Sequence, residues 1–551
     1  MMPTINISFK DLNSLIHKKI TLPQMEELIE YAKGEVENYD EQTDEMAISL
    51  DDTNLPYLWS SEGLARFFKG VMGEEAGIPS IKTEEPRREI ITDKSVHPIR
   101  PFIAGFVAKG GKLSDYALRQ FVQLQEKFCD NYGRKRKNAS IGLYASKKIK
   151  FPVHYKAVRP ESISFVPLEF DRPLNLRQII EEHPKGKEYG SIISGHDHFP
   201  ILIDDAGKVL SLPPIINSND LGKLEVGDTE FLFECTGTDE ETVNLGTAIF
   251  AYALADRGYT IESLTMKYPK TAVKTPVLIQ DEIKITQTQI KELIGIELAE
   301  SEIKKLLRKA RYDYDNGTVK IPPFRKDILH PFDVIEDIAI MHGYGKIESL
   351  PMQTYTVGGT LALQKFIDKM RLGTIGLQYQ ETFSPVLTNK KLLYEQARFS
   401  DPGTVEIDNF TSETYSVVRT TLIPILLDLL SKNKHIDYPQ KVFEEGIVTR
   451  RHDDAVVDYN FLTLVSTHSH TTFTEAKQAA DAILSLLGIK GKYEEIEHSS
   501  FISGRAARIL VDGTEIAILG EIHPQVLDNF KLELPVTALE INLSGLFGLK
   551  H

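Results

Sequence analysis

Cysteine and long apolar runs are both scarce in this chain, and each scarcity excludes something. Two cysteines, Cys129 and Cys235, among 551 residues cannot build a zinc site or a disulfide framework alone, so buried free thiols are expected. No apolar run approaches the roughly 20 residues of a membrane span. The polar start Met1-Met2-Pro3-Thr4-Ile5-Asn6 does not read as a signal peptide, so a cytoplasmic protein with no membrane contact is expected. Excess positive charge is missing as well: a formal net charge of −15 argues against a surface that clings to nucleic acid throughout. With 41% hydrophobic and 26% charged residues, the chain is neither disordered nor fibrous. Its length predicts several domains, each large enough to bury its own core.

One local stretch runs against the acidic balance. Arg134-Lys135-Arg136-Lys137 is followed by Lys147, Lys148, Lys150, Lys156 and Arg159, interleaved with Tyr132, Tyr144 and Tyr155. Such a run is either a solvated face or an RNA contact.

The chemistry is densest between Ile321 and Ile347. Two prolines lead into Phe324-Arg325-Lys326-Asp327, and an acidic helix follows with Asp333, Glu336 and Asp337. In a helix starting near Asp333 these three share one face at i, i+3 and i+4, while Val334, Ile335, Ile338 and Met341 turn to a core; Asp327 would fold back over that face. Oxygen donors without histidine or cysteine suit a hard cation, magnesium before zinc. The same spacing also makes an Asp-x-x-Glu capping pair, and on spacing alone the cap is the commoner meaning.

Residues 1–85 read as a small α+β unit and Lys82 to Lys94 as a charged linker. Residues 95–268 read as a larger α/β domain in which Ser211, Asn217, Glu234 and Thr236 fall at strand ends and turns, where a pocket takes its polar groups. By residue type alone they are satisfied strand-edge polars. Glu234, between Phe233 and Cys235 in an apolar strand, nevertheless needs a partner if buried. No Ser-His-Asp or Cys-His grouping accompanies them, and His196 and His198 read as loop histidines. Residues 269–350 hold two helices, a hairpin across Asp315-Asn316-Gly317 and then the acidic helix, a winged-helix-like pattern. Residues 351–551, with a strand expected over Glu381 to Leu387, read as an antiparallel sheet with flanking helices. The fold class is multidomain α+β.

Several of these segments together resemble one family, the β subunits of phenylalanyl-tRNA synthetases of the archaeal and eukaryotic type. The resemblance is carried by Phe324-Arg325-Lys326-Asp327-Ile328, Asp333-Val334-Ile335-Glu336-Asp337 and Gly343-Tyr344-Gly345-Lys346-Ile347. It extends to Pro213-Pro214-Ile215-Ile216-Asn217, Glu234-Cys235-Thr236-Gly237-Thr238, Arg419-Thr420-Thr421-Leu422 and Gly520-Glu521-Ile522-His523-Pro524. It implies that Asp327, Asp333, Glu336 and Asp337 hold a Mg2+ ion shared with the α subunit, with Asp337 standing where many members have glutamate. It further implies an editing domain at 95–268 whose pocket of Leu202, Ser211, Asn217, Glu234 and Thr236 accepts a wrongly attached tyrosine on tRNA(Phe).

The same resemblance makes residues 351–551 a degenerate class II synthetase-like domain. Phe443-Glu444-Glu445-Gly446 lacks the arginine, and Gly504-Arg505 the glycine series, of an ATP site. Phenylalanine and ATP would then bind the α subunit of an α2β2 heterotetramer, and the length leaves no room for the extra tRNA-binding domains of longer bacterial β subunits. Tyr144-Ala145-Ser146-Lys147-Lys148-Ile149 departs from relatives, which usually carry an acidic segment there. A non-catalytic scaffold and a stand-alone aminoacyl-tRNA deacylase are the rival readings.

Overall fold

Alternation of apolar and polar residues at the start of the chain produces paired strands with one buried face. Thr4–Ser8 pairs antiparallel with Glu45–Leu50, so that Ile5 and Ile7 stand opposite Ile48 and Met46 in the core; Gly34–Asp40 completes this three-stranded sheet. A computed structural model describes residues 3–352 and 354–550. The chain divides into two units, Met1–Pro351 and Met352–His551.

The first unit is dominated by a ten-stranded mixed sheet. Its path runs Ile216–Asn217, Val209–Leu212, Phe199–Ile203, Val153–Val158, Thr83–Thr92, Thr260–Lys267, Phe102–Lys109, Glu230–Gly237 and Ala139–Ala145, with Ala272–Thr275 paired beside Thr260–Lys267. The charged segment expected to be a linker is thus a central strand: Thr83–Thr92 lies parallel to both of its neighbours. Its charges mislead because they are matched across the sheet. Arg88 pairs with Glu230 at 2.6 Å and lies 3.6 Å from the fully buried Glu262, which Lys109 also engages.

Helix Glu240–Asp256 packs on this sheet. Arg66 to Asp256 at 2.6 Å and Arg257 to Asp11 at 2.8 Å tie it to the N-terminal elements. Helices Gln287–Ile294 and Glu300–Lys309, the hairpin Asp313–Asp315 to Thr318–Ile321, and helix Pro331–His342 follow. A continuous apolar cluster runs from Ile5 through Phe233 and Leu307 to Met341 and joins these segments, while two further clusters, around Tyr144 and Leu202 and around Phe165 and Phe199, belong to the large sheet's own segment.

The second unit is a seven-stranded sheet. Gln440–His452, Ala455–Thr467, Val536–Asn542, Thr514–Ile522, Phe501–Val511 and Lys492–Glu495 are antiparallel in that order, and Gln380–Glu381 adds to the edge in parallel. Helices Ala362–Gly376, Ile423–Lys432 and Phe473–Ser485 accompany it. The strand expected over Glu381 to Leu387 is broken: only its ends pair, Glu381 with Phe443 and Leu387 with Val418. Pro385 interrupts it, having no N–H to give a ladder. Among the described residues, no helix is long and apolar enough to cross a membrane.

Candidate functional site

The register of the large sheet lines up two rows of residues. Leu202 stands opposite Ser211 and Ser211 opposite Asn217 across three strands at one end of the path. At the other end Glu234 stands between Gly105 and Gly142. These rows lie towards opposite ends of a nine-strand hydrogen-bonded path, yet the sheet curls until their side chains meet. The Tyr144 hydroxyl lies 2.8 Å from Ser211 Oγ and 2.7 Å from Glu234 Oε1. Where they meet is a cavity of about 120 Å3, walled by Arg136, Ser140, Ser211, Pro214, Asn217 and Glu234 among others.

Glu234 is the unusual group. It is 3% exposed, and although Tyr144 donates to Oε1, Oε2 is buried with no hydrogen-bond partner among the described residues. An unpaired buried carboxylate oxygen is costly. Burial pushes the Glu234 carboxyl up to about 7, against the opposing pull of the Tyr144 bond and the Arg100 guanidinium. Burial, reinforced by the charge of Glu234, holds the Tyr144 phenol well above its usual range, so Tyr144 stays a neutral donor.

The two glycines explain how this pair fits. A Cβ on Gly142 would lie 2.2 Å from Tyr144 Oη and 2.5 Å from Glu234 Oε1, so the strand yields its side-chain space to the carboxylate and phenol. Gly142→Ala is therefore expected to destabilise the chain by about 1–3 kcal/mol through overpacking, read as a lower urea midpoint. An unchanged midpoint would mean that Tyr144 moves aside at no cost.

Of the five residues expected in this pocket, Ser211, Asn217 and Glu234 line it. Leu202 is fully buried in the apolar cluster that contains Tyr144 and Leu232, and backs the site rather than lining it. Thr236 is on the same strand face as Glu234 but sits behind the wall, fully buried, its hydroxyl accepting from Arg100 Nε at 3.1 Å. Arg100 also donates to Ser140 Oγ and to the carbonyls of Arg136 and Lys137. Sequence reasoning missed Tyr144, Gly142, Arg100 and Arg136. Tyr144 had been grouped with the basic stretch, and only the departure of Tyr144 to Ile149 from relatives marked that segment.

The acidic stretch behaves differently. Asp327, Asp333, Glu336 and Asp337 do line one cavity of about 230 Å3, together with Lys33, Asp52 and Arg325. Their oxygens, however, are spent on protein groups. Arg325, 5% exposed, pairs with Asp327 and, at 2.6 Å, with Asp337, which Tyr312 also engages. Lys33 bridges Glu336 at 2.8 Å and Asp52 at 3.0 Å. Asp333 accepts from the Leu329 and His330 amides, both at 2.7 Å. The helix begins earlier than expected, at Pro331 with His330 as its N-cap, so Asp333 closes a capping box from the third position. The donor chemistry suits Mg2+, but the arrangement does not: among the described residues no three His, Cys, Asp or Glu side chains converge on a point. The expected metal ligands are together without forming a metal centre within this chain.

The basic stretch is divided. Lys147 donates to Thr229 Oγ1 and Lys148 lies 3.8 Å from Glu225, while Tyr144 and Tyr155 are fully buried and offer no stacking surface. Residues 134–137 instead form a separate turn beside the cavity. His196 and His198 lie in the turn before Phe199–Ile203. In the second unit, Arg419 and Glu444 are buried against each other at 2.6 Å, Ser384 Oγ bonds to both, and Arg419 Nε donates to the Ile447 carbonyl.

Comparison with known proteins agrees along the chain. A family described as the phenylalanyl tRNA synthetase beta chain CLM domain matches residues 347–543, and one described as the tRNA synthetase B5 domain matches 283–344. The phenylalanine-tRNA ligase beta subunit of Thermococcus sibiricus is 37% identical over 551 residues, covering 98% of each chain. That of Pyrococcus horikoshii is 36% identical over 555 residues, covering 99% of this chain and 100% of its own. A solved N-terminal fragment of the phenylalanyl-tRNA synthetase beta subunit from Pyrococcus horikoshii superposes with a TM-score of 0.60 at 36% identity, covering 62% of this chain and 100% of the fragment.

Proposed function

This chain belongs to the family of phenylalanine-tRNA ligase beta subunits, and on that premise we propose that its Glu234 cavity hydrolyses tyrosine wrongly esterified to tRNA(Phe). The observation that carries the reading is Glu234 Oε2, a buried acceptor with no partner on the wall of a cavity of about 120 Å3. A site selective for phenylalanine is apolar and only weakly rejects an added hydroxyl. A second site must therefore reward that hydroxyl, and an acceptor left unpaired by phenylalanine and filled by a phenol O–H does so. Tyr144 holds Oε1 and thereby fixes where Oε2 points. Among the described residues Ser211 Oγ meets the Tyr144 hydroxyl and not a base directly, so the ester would be cleaved by a positioned water, and the chain's part is orientation and exclusion of bulk solvent.

The test is the hydrolysis rate of Tyr-tRNA(Phe) against Phe-tRNA(Phe) by the chain co-purified with its α subunit. Fast, tyrosine-selective release that Glu234→Ala lowers at least 100-fold is expected. No release of either ester would leave the cavity as a scaffold, and equal release by a chain that never joins an α subunit would make the protein a stand-alone deacylase.

In the assembled ligase the α subunit would bind ATP and phenylalanine and charge tRNA(Phe), as one half of an α2β2 heterotetramer in the cytoplasm. The buried Arg419–Glu444 pair supports a non-catalytic second unit here, since its guanidinium and carboxylate satisfy each other. A Mg2+ ion shared with that partner at Asp327, Asp333, Glu336 and Asp337 would require groups from the partner and release of these acids from Arg325 and Lys33.

A further inference from the structure

Three consecutive residues that are not glycine, Arg134, Lys135 and Arg136, hold left-handed backbones with φ of 51°, 52° and 65°. A single such residue is uncommon and each is disfavoured by its Cβ, so a run of three persists only where the surroundings impose it. The surroundings do so here. The amides of Lys135 and Arg136 bond to the Asp130 and Cys129 carbonyls at 3.0 and 2.9 Å. The buried Arg100 grips the Arg136 and Lys137 carbonyls from below, both at 3.1 Å, while also binding Thr236 behind the Glu234 wall. The turn is therefore fixed to the floor of the cavity.

Its side chains are as notable as its backbone. Arg134, Lys135, Arg136 and Lys137 are four successive cations in a chain of net charge −15, and among the described residues none of them has a carboxylate within salt-bridge distance. Arg134, Lys135 and Lys137 are exposed. Arg136 lies over the Tyr189 ring, 4.2 Å from its centroid, and one guanidinium nitrogen donates to the Pro214 and Ile215 carbonyls on the cavity wall. Its Nε has no partner. Lys185, also on the cavity wall, stands over the same ring at 5.4 Å. Unpaired cations on a strained, rigid turn at the rim of a polar cavity are arranged to meet a polyanion that delivers a small group into that cavity.

We propose that the turn 134–137 is a clamp for the ribose-phosphate backbone of a single-stranded RNA 3′ end, with Arg136 and the Tyr189 ring at the cavity mouth and Arg134, Lys135 and Lys137 on the preceding phosphates. The clamp rests on the reading of the Glu234 cavity as an ester-hydrolysing site, for which it supplies the position of the RNA. A planar guanidinium over an aromatic ring suits a base or a phosphate at the terminal nucleotide. The remaining lysines and arginine add affinity that falls with salt.

The experiment uses the full chain and two RNA hairpins carrying no amino acid, one with a four-nucleotide single-stranded 3′ tail and one blunt, with binding followed by fluorescence anisotropy from low to moderate salt. Reversing the three exposed cations, Arg134→Glu with Lys135→Glu and Lys137→Glu, is expected to weaken the tailed hairpin at least 30-fold. Its log-log salt slope should flatten by about 2, near 0.7 for each lost phosphate contact. The blunt hairpin should change much less. Lys135→Gly, which frees one left-handed position and removes one cation, is expected to raise the unfolding midpoint while weakening the tailed hairpin severalfold. Unchanged affinity and slope in the triple variant, or equal losses on tailed and blunt hairpins, would overturn the clamp. If the triple variant loses the tailed hairpin while the wild type cleaves no tyrosyl ester, the clamp stands and the hydrolytic reading falls. Normal ester cleavage by the triple variant with unchanged KM has the opposite meaning.

Discussion

Arg325→Ala is expected to destabilise the first unit by about 3–5 kcal/mol, the range for removing one partner of a buried ion pair. Arg325 is 5% exposed and faces Asp327 and Asp337, whose side chains are 6% and 17% exposed. Its guanidinium also stacks within 5.6 Å of the Tyr57 ring and 5.1 Å of the Tyr312 ring. Truncation would leave two carboxylates without their cation in a place where burial already pushes the Asp337 carboxyl up despite Arg325. Thermal melts of wild type and variant measure the loss. It should shrink in acid, where the Asp337 carboxyl, already pushed up by burial, is protonated and no longer needs a cation. Adding millimolar MgCl2 then separates two descriptions of this cluster. If Arg325 stands in the place of a cation that the four acids can hold, Mg2+ should restore much of the lost melting temperature in the variant and leave the wild type unmoved. No recovery would mark the cluster as an internal salt-bridge lock that binds Lys33, Arg325 and the start of helix Pro331–His342 together.

What could be read from the residues, and what could not, divides along the distance over which a contact forms. The acidic helix, the hairpin at Asp315-Asn316-Gly317 and the strand holding Glu234 were legible because capping, turn chemistry and a short apolar run are signals that act within about ten residues. Ser211 and Asn217 come opposite each other once the hairpin between them is closed. Tyr144 was not legible, since its contact with Ser211 depends on a curl of the whole sheet that joins strands at opposite ends of the path. Thr83–Thr92 was misread for a related reason. Its charges resemble a linker until Glu230, Glu262 and Lys109 are placed across from them by register. Thr236 shares a face with Glu234, as its spacing predicts, yet only the structure shows its hydroxyl accepting from Arg100.

Glu234→Gln is expected to raise stability at pH 8 and lower editing there, because one buried charge underlies both. The carboxyl sits at about 7 in the folded chain against an ordinary 4.5. The native state thus binds more protons than the unfolded chain between those values, and stability falls as pH rises through that window. Above it the ionised group destabilises the fold by about 3 kcal/mol, at 1.36 kcal/mol for each unit of displacement. Glutamine cannot ionise. The variant should match the wild type near pH 4.5 and exceed it by most of that amount at pH 8, measured by urea unfolding at both. The same ionisation makes Oε2 a strong acceptor for a phenol O–H, and a charged acceptor strengthens such a bond by about 1–2 kcal/mol. Tyrosyl-ester hydrolysis by the wild type should therefore climb through pH 7 more steeply than the uncatalysed ester. The variant should be about 5- to 30-fold slower at pH 8 and nearly equal at pH 6. Parallel profiles for the two proteins would place the acceptor elsewhere, while a stability gain without a change in hydrolysis would make Glu234 a buried acid with no ligand. A destabilising charge on a cavity wall is what the proposed recognition site requires: an unpaired carboxylate oxygen in the core is costly unless a ligand hydroxyl completes it.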